Sequence, residues 1–329
     1  MAGFSAARKL KELAPETDVV IADQEGLGLY TKIRLPEYLA GRLPQAKLLL
    51  NGAESIEKLG IRRISGAAVS SLDLGRHEAK LDDGQLESYD ALVVASGADA
   101  ANPCLPACGS APLFTLRTIA DADAIISACE GARSAVVIGG GLLGLEAAWA
   151  LKCRNLNVSI VECLPRLLPR NLDEIESKLL LEKMTSMGFE FHVGSRLECA
   201  NVEGGKKVLR LNDGNSLACD FILVSAGIRP RLALAKAAGI ETGHGIKVGS
   251  RLETSAKDVF AIGDCAELPD GRIWGLWAAS KDQGEALGEI LAGKRRSFES
   301  PKYEPVLKVS GVQMKEIKAE AEALKRRAS

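Results

Sequence analysis

The 329-residue sequence has no Cys-x-x-Cys pair, no excess of charge of either sign and no long apolar run. Each absence excludes something. Lys and Arg number 42 against 43 Asp and Glu, so no broad basic field exists to hold nucleic acid or an anionic membrane, and any partner must be recognised locally. No apolar stretch reaches the roughly 20 residues that cross a bilayer, and the first residues lack the apolar core of a signal peptide. The expected location is the cytoplasm. The three histidines, His77, His192 and His244, have no neighbouring motif and read as surface or packing residues. Eight cysteines are scattered from Cys104 to Cys265. Cys104 and Cys108, in the Pro-rich loop NPCLPACG, leave a redox pair or half a metal site open beside the plainer reading of reduced thiols.

What is present is an internal repeat and 47% hydrophobic content, ample for more than one core. LDDGQLESYDALVVASGA at 81–98 reads like LNDGNSLACDFILVSAGI at 211–228, with Asp83, Gly84, Asp90 and Gly97 matched at one constant offset by Asp213, Gly214, Asp220 and Gly227. Both copies describe a hairpin turn, a second strand, an apolar strand and a closing glycine. Upstream, GFSAARKL at 3–10 resembles GLEAAWAL at 144–151, at a slightly larger offset. Each helix leads into an apolar strand of the kind buried in a parallel sheet, DVVIAD at 18–23 and NVSIVE at 157–162. The expected fold class is therefore α/β, with two doubly wound Rossmann-like dinucleotide-binding domains.

The second copy has an element that the first lacks. The run Ser134 to Ile138 is a buried strand leading directly into Gly139, Gly140, Gly141, Leu142, Leu143 and Gly144, followed by an Ala-rich helix. In a Gly-x-Gly-x-x-Gly between strand and helix, Gly139 makes the tight turn, Gly141 admits a pyrophosphate and Gly144 lets the helix pack close. The free N–H groups of the helix's first turn then face the phosphates. Glu162 closes the second strand about 20 residues along, where a carboxylate accepts from adenosine ribose hydroxyls and repels a 2′-phosphate. NADH is thus favoured over NADPH, although Arg166 and Arg170 lie close in sequence. By the repeat, Asp23 is the equivalent acid for a second dinucleotide. With Gly144 aligned on Gly3, the counterparts of Gly139 and Gly141 fall before residue 1, so only Gly3 of the first triplet remains. The expectation is a chain whose first strand is missing and whose C-terminus is shortened, ending in a charged, solvated helix KEIKAEAEALKRRAS.

GGGLLGLEAA (139–148), VECLPRLLPR (161–170), AGIRP (226–230) and TSAKDVFAIGDCAE (254–267) together resemble the pyridine nucleotide-disulfide oxidoreductase superfamily. Within it, YTKIRLPEYLAG (30–41), YDALVVASGA (89–98), LRT (116–118) and GLWAASKDQGEALG (275–288) look like the NADH:rubredoxin reductase and nitrite reductase large-subunit branch. The resemblance implies an FAD domain in two pieces, 1–113 and 228–300, an NADH domain at 114–227, and at 301–329 a remnant of the C-terminal interface domain. It implies that Gly263 and Asp264 lie near the flavin's ribityl and phosphate groups, Val69 near the adenine, and Ala95 to Gly97 on a loop passing the cofactor. Arg117 in LRT, Leu142 and Leu143 in the glycine loop and Gly227 in AGIRP belong with the cofactor contacts on the same ground. Lys32 takes the place of a basic residue beside the flavin, Glu146 that of the acid pairing with it, and Trp277 would lie near the ring. A cation there would stabilise negative charge gained on reduction.

Without a redox cysteine pair, and with no cysteine between Tyr30 and Pro44, neither disulfide reduction nor a single-cysteine oxidase or peroxidase mechanism is expected. The resemblance implies instead hydride transfer from NADH to FAD and electron transfer to an external acceptor, a rubredoxin-like protein or a nitrite-reducing partner. A truncated NADH-binding module without FAD turnover is the rival reading.

Overall fold

The apolar run Ser134–Ile138 forms the centre of a five-stranded parallel sheet, because both of its faces are covered by other elements. Ala135, Val136 and Val137 are no more than 1% exposed. The strand order across this sheet is Leu113–Thr115, Phe221–Val224, Ser134–Ile138, Asn157–Glu162 and Glu190–Val193. After the edge strand Leu113–Thr115 and the central strand, the chain runs outward through Asn157–Glu162 to Glu190–Val193, then returns to insert Phe221–Val224 between those first two. The order therefore reverses at the carboxyl end of Ser134–Ile138, and ligands of open α/β sheets bind in the crevice at such a point.

This computed structural model describes residues 1–51, 53–101, 111–304 and 306–328. The pair Cys104 and Cys108 lies outside the described residues. The chain divides into two compact units, one of residues 1–31, 49–99 and 228–303, the other of residues 32–48, 100–227 and 304–329. Among the described residues no helix is long and apolar enough to cross a membrane, and no cluster of three His, Cys, Asp or Glu side chains is placed to hold a metal.

The second unit holds the five-stranded sheet. An antiparallel sheet of Leu197–Glu203, Lys206–Leu211 and Ser216–Cys219 belongs to it, as do helices Ile119–Ala128, Leu142–Cys153 and Glu174–Ser186. Asp220 accepts the backbone N–H groups of Arg133 and Ser134 at 2.9 and 3.0 Å, tying the end of that hairpin to the start of the central strand. The charged helix expected at the C-terminus is present as Met314–Ala328, but it is not merely solvated. Ile317 and Ala321, one helical turn apart on one face, are 6% and 0% exposed, and the helix packs on Glu174–Ser186. Met314, Ile317, Ala321 and Leu324 recur at helical spacing on that face, a period that the surrounding charge obscures.

The first unit carries short parallel ladders, among them Val19–Asp23 with Ile61–Ser65, Leu92–Val94 with Val259–Ala261 and Ile246–Lys247 with Ala266–Glu267. Among the described residues, no strand of this unit corresponds to the central Ser134–Ile138. Helices Ala2–Leu13 and Trp277–Leu291 lie against each other at very short range. A methyl on Gly284 would stand 2.3 Å from the Ala2 carbonyl oxygen, and one on Gly288 2.7 Å from that of Ala6. Only glycine permits this approach.

The repeat seen in the sequence is a repeat of hydrogen bonds. Leu81 N–H donates to Gln85 O at 2.8 Å and Leu211 N–H to Asn215 O at 2.9 Å. Asp83 Oδ1 accepts from Gln85 N–H, and Asp213 Oδ1 from Asn215 N–H, both at 2.9 Å. Gly84 and Gly214 both take positive φ, +92° and +86°. That left-handed conformation is why both turns carry Asp-Gly.

Candidate functional site

The loop that leaves Ser134–Ile138 owes its course to three glycines that differ in what surrounds them. Gly139 has φ +113°, and a methyl on it would stand 2.3 Å from the Ser225 carbonyl oxygen. A methyl on Gly144 would stand 2.0 Å from the carbonyl oxygen of Gly139. Around Gly141 a methyl would meet nothing within 4 Å. Two glycines are therefore required by packing and the third by nothing in the protein, which leaves open space at the N-cap of helix Leu142–Cys153. Gly141 is that N-cap and supplies no side-chain cap, so the first N–H groups of the helix stay available to an anion. The neighbouring Leu142 is half-buried and Leu143 exposed.

Glu162, at the end of Asn157–Glu162, is 7% exposed. Its Oε2 accepts the backbone N–H of Gly140 at 2.6 Å, and its Oε1 that of Leu164 at 2.7 Å. The carboxylate thus fixes the glycine loop to the start of the following turn; Oε1 also accepts the Cys163 thiol at 3.6 Å, and Oε2 retains a lone pair for a further donor. In that turn Arg166 donates to the carbonyl oxygens of Leu172, at 2.6 Å, and Pro169, at 3.5 Å. Its guanidinium is engaged within its own loop, whereas Arg170 is exposed. The loop ends at Asp173, which caps helix Glu174–Ser186 through a reciprocal pair of bonds with Glu176.

Glu146 lies on the same helix as the glycine loop and is 7% exposed. Its Oε1 accepts the backbone N–H of Lys308 at 2.9 Å. Burial raises its pKa above the ordinary carboxyl range and the Glu37 carboxylate adds to this, while the Lys308 N–H and ammonium oppose it. Lys32 belongs to the same unit, half-buried in the short helix Lys32–Arg34. Arg117 precedes helix Ile119–Ala128, and its N–H donates to Asp121 in that helix's capping box. Gly227 has φ +103°, and its carbonyl accepts the Ala101 N–H at 2.9 Å.

The remaining positions fall in the first unit. Gly3 stands in its helix as Gly144 does in the other. A methyl on Gly3 would meet the Ala95 side chain at 3.2 Å, and one on Gly144 meets at 3.5 Å that of Ser225, the counterpart of Ala95 in the hairpin repeat. Asp23 repeats the behaviour of Glu162. Its Oδ1 accepts the N–H of Glu25 at 3.1 Å, but its Oδ2 also pairs with Arg63 from the neighbouring strand. Sequence reasoning missed Arg63, and no motif marks it. Val69 begins the strand Val69–Asp73, and Gly97 has φ +70° with open space around it. Gly263 has φ +79°, and its N–H donates to Gln283 at 2.7 Å. Asp264 accepts the Ser280 hydroxyl at 3.3 Å. Trp277 opens helix Trp277–Leu291, and its indole Nε1 is buried without a hydrogen-bond partner among the described residues.

The model of the family described as pyridine nucleotide-disulphide oxidoreductase matches residues 1–284. The chain is 35% identical over 305 residues to the nitrite reductase [NAD(P)H] large subunit of Klebsiella oxytoca, covering 92% of this chain and 32% of that protein. To the rubredoxin-NAD(+) reductase of Alcanivorax borkumensis it is 31% identical, covering 89% of this chain and 77% of that one. The crystal structure of a ferredoxin reductase from Rhodopseudomonas palustris superposes with a TM-score of 0.85 at 27% identity, over 92% of this chain and 76% of that one. The chain spans about a third of the length of the Klebsiella subunit.

Proposed function

Since the chain belongs to the pyridine nucleotide-disulphide oxidoreductase family, we propose that it is an FAD-dependent NADH oxidoreductase that delivers electrons to a separate redox protein. The observation that carries this reading is the glycine loop, where Gly139 and Gly144 are fixed by packing and Gly141 alone faces open space. Bound FAD would supply the hydride acceptance from NADH and the onward electron transfer that the side chains themselves cannot perform.

The residues supply placement and charge. Gly139, Gly141 and Gly144 bring the N–H groups at the start of Leu142–Cys153 to the pyrophosphate of NADH. Glu162 receives the ribose hydroxyls. Its fixed negative charge disfavours a 2′-phosphate, and Arg166, already engaged by two carbonyls, does not offset it. On the FAD side, Gly3, Asp23, Val69, Ala95, Gly97, Gly263 and Asp264 hold the dinucleotide, and the unpaired Trp277 indole N–H finds its acceptor there. Lys32 stabilises negative charge on the reduced cofactor, while Glu146 is bonded instead to the Lys308 N–H. The acceptor is a rubredoxin-like protein or a nitrite-reducing partner, as the names of two relatives indicate for those proteins. The cytoplasm is the proposed location, in keeping with the six free cysteines among the described residues.

One observation favours a second reading. The glycine loop and Glu162 lie wholly within the second unit, and on this reading that unit binds NADH without FAD turnover. Anaerobic titration with FAD, followed by NADH, separates the two by the flavin's absorbance. Stoichiometric FAD binding and bleaching support the reductase. NADH binding without FAD binding establishes the module.

A further inference from the structure

After the first unit ends, the chain crosses the dinucleotide unit and touches it at two places. Leu307 and Val309 are 4% and 3% exposed, and between them the Lys308 N–H reaches Glu146 on helix Leu142–Cys153. Gly311 then turns with φ +87°, and Ile317 and Ala321 seat helix Met314–Ala328 on Glu174–Ser186. Near the far end of that helix, Lys325 pairs with Asp173. Glu146 and Asp173 occupy related positions. Glu146 lies in the helix that follows the glycine loop, and Asp173 caps the helix that follows Glu162 and its turn. These are the two strand-to-helix connections that form the candidate NADH site.

We infer that residues 306–328 form a strap joining those two connections, anchored at Glu146 and Asp173, and that the strap raises the affinity of the site for NADH. The inference rests on the reading of the glycine loop as an NADH site. A dinucleotide must bridge from the pyrophosphate loop to the ribose acid, so any drift between the two connections weakens it. Holding them together beforehand lowers the ordering cost of binding. The two anchors are unequal. The Lys325–Asp173 pair is about two-fifths exposed on both sides and contributes little by itself. The packing of Ile317 and Ala321 and the part-buried bond to Glu146 hold the strap.

Linkage is reciprocal, so NADH must in turn hold the strap. In the full chain, saturating NADH should slow hydrogen exchange across residues 306–328 at least threefold. The variant Ala321→Glu places a charge at a fully buried contact and should speed exchange through 314–328 at least tenfold, with the NADH dissociation constant, read by NADH fluorescence, rising at least fivefold. The strap is refuted if NADH binds and leaves wild-type exchange unchanged, or if Ala321→Glu frees the helix without weakening NADH. It is equally refuted if Ala321→Glu leaves the helix protected. The wild-type measurement needs no variant to fold. Failure of the wild-type chain to bind NADH at all would remove the NADH reading instead, an outcome the fluorescence titration reports separately.

Discussion

A methyl group on Gly144 would stand 2.0 Å from the carbonyl oxygen of Gly139, so the third glycine of the loop is required by the first. Gly141, between them, is under no such constraint. Gly141→Ala should therefore fold and melt like the parent while its NADH dissociation constant rises tenfold or more. Gly139→Ala combines an unfavourable positive φ with a 2.3 Å clash and should cost at least about 2 kcal/mol. Thermal melts and NADH titrations of both variants check the division. Equal destabilisation by the two would show that Gly141, like Gly139, is required by packing.

Removing the carboxylate of Glu162 strands two backbone donors, those of Gly140 and Leu164. Each unsatisfied N–H costs about 1–3 kcal/mol where it stays out of water. Glu162→Ala should lose both stability and NADH affinity, whereas Glu162→Gln keeps one carbonyl acceptor and should lose less stability. A Gln variant as unstable as the Ala variant would mean that the charge, not the acceptor, fixes the loop.

Glu146 yields a pH dependence. Its carboxyl titrates above the ordinary range, chiefly through burial, so the folded chain holds the proton more tightly than the unfolded one. The corresponding stability is fully present below the unfolded pKa of about 4.3 and is lost as pH rises through the folded value. Glu146→Gln mimics the protonated acid and keeps an acceptor for Lys308 N–H. Its melting temperature should exceed the parent's at pH 7 and match it near pH 4. A gap of the same size at both pH values would exclude burial of the charge as the cause.

Gly284→Ala sets two magnitudes against each other. Alanine gains about 1 kcal/mol of helix propensity over glycine, but its methyl would lie 2.3 Å from the Ala2 carbonyl oxygen. Overpacking of this kind costs about 1–3 kcal/mol, and here the obstacle is backbone that cannot rotate away. The clash should win. A lower melting temperature is expected, and a higher one would mean that the two helices part at little cost.

The α/β class, the hairpin repeat and the central strand were legible because each rests on a local rule. Apolar runs mark strands buried on both faces, Asp-Gly marks the turn, and a glycine triplet between strand and helix marks the loop. Glu162 was legible by its distance from that loop, but its double role was not, since two backbone N–H groups that converge on a carboxylate leave no trace in residue type. Arg63 was hidden for the same reason, since it is the register partner of Ile21 and reaches Asp23 only through strand pairing across 40 residues. The bond between Glu146 and Lys308 spans 162 residues and uses a main-chain donor, which every residue but proline possesses. The segment Lys32–Leu48 lies with the second unit although no period or glycine signal announces it.

The two Asp-Gly hairpins make the molecule its own paired experiment. The same turn, closed by the same main-chain bonds, occurs twice with its aspartate exposed, but Asp213 also accepts the Ser195 hydroxyl at 2.6 Å. Replacing each aspartate by alanine in one polypeptide measures a single turn in two settings under identical solvent, temperature and chain length. The shared part of the loss belongs to the turn, and the difference belongs to its neighbourhood, a separation that usually requires two proteins.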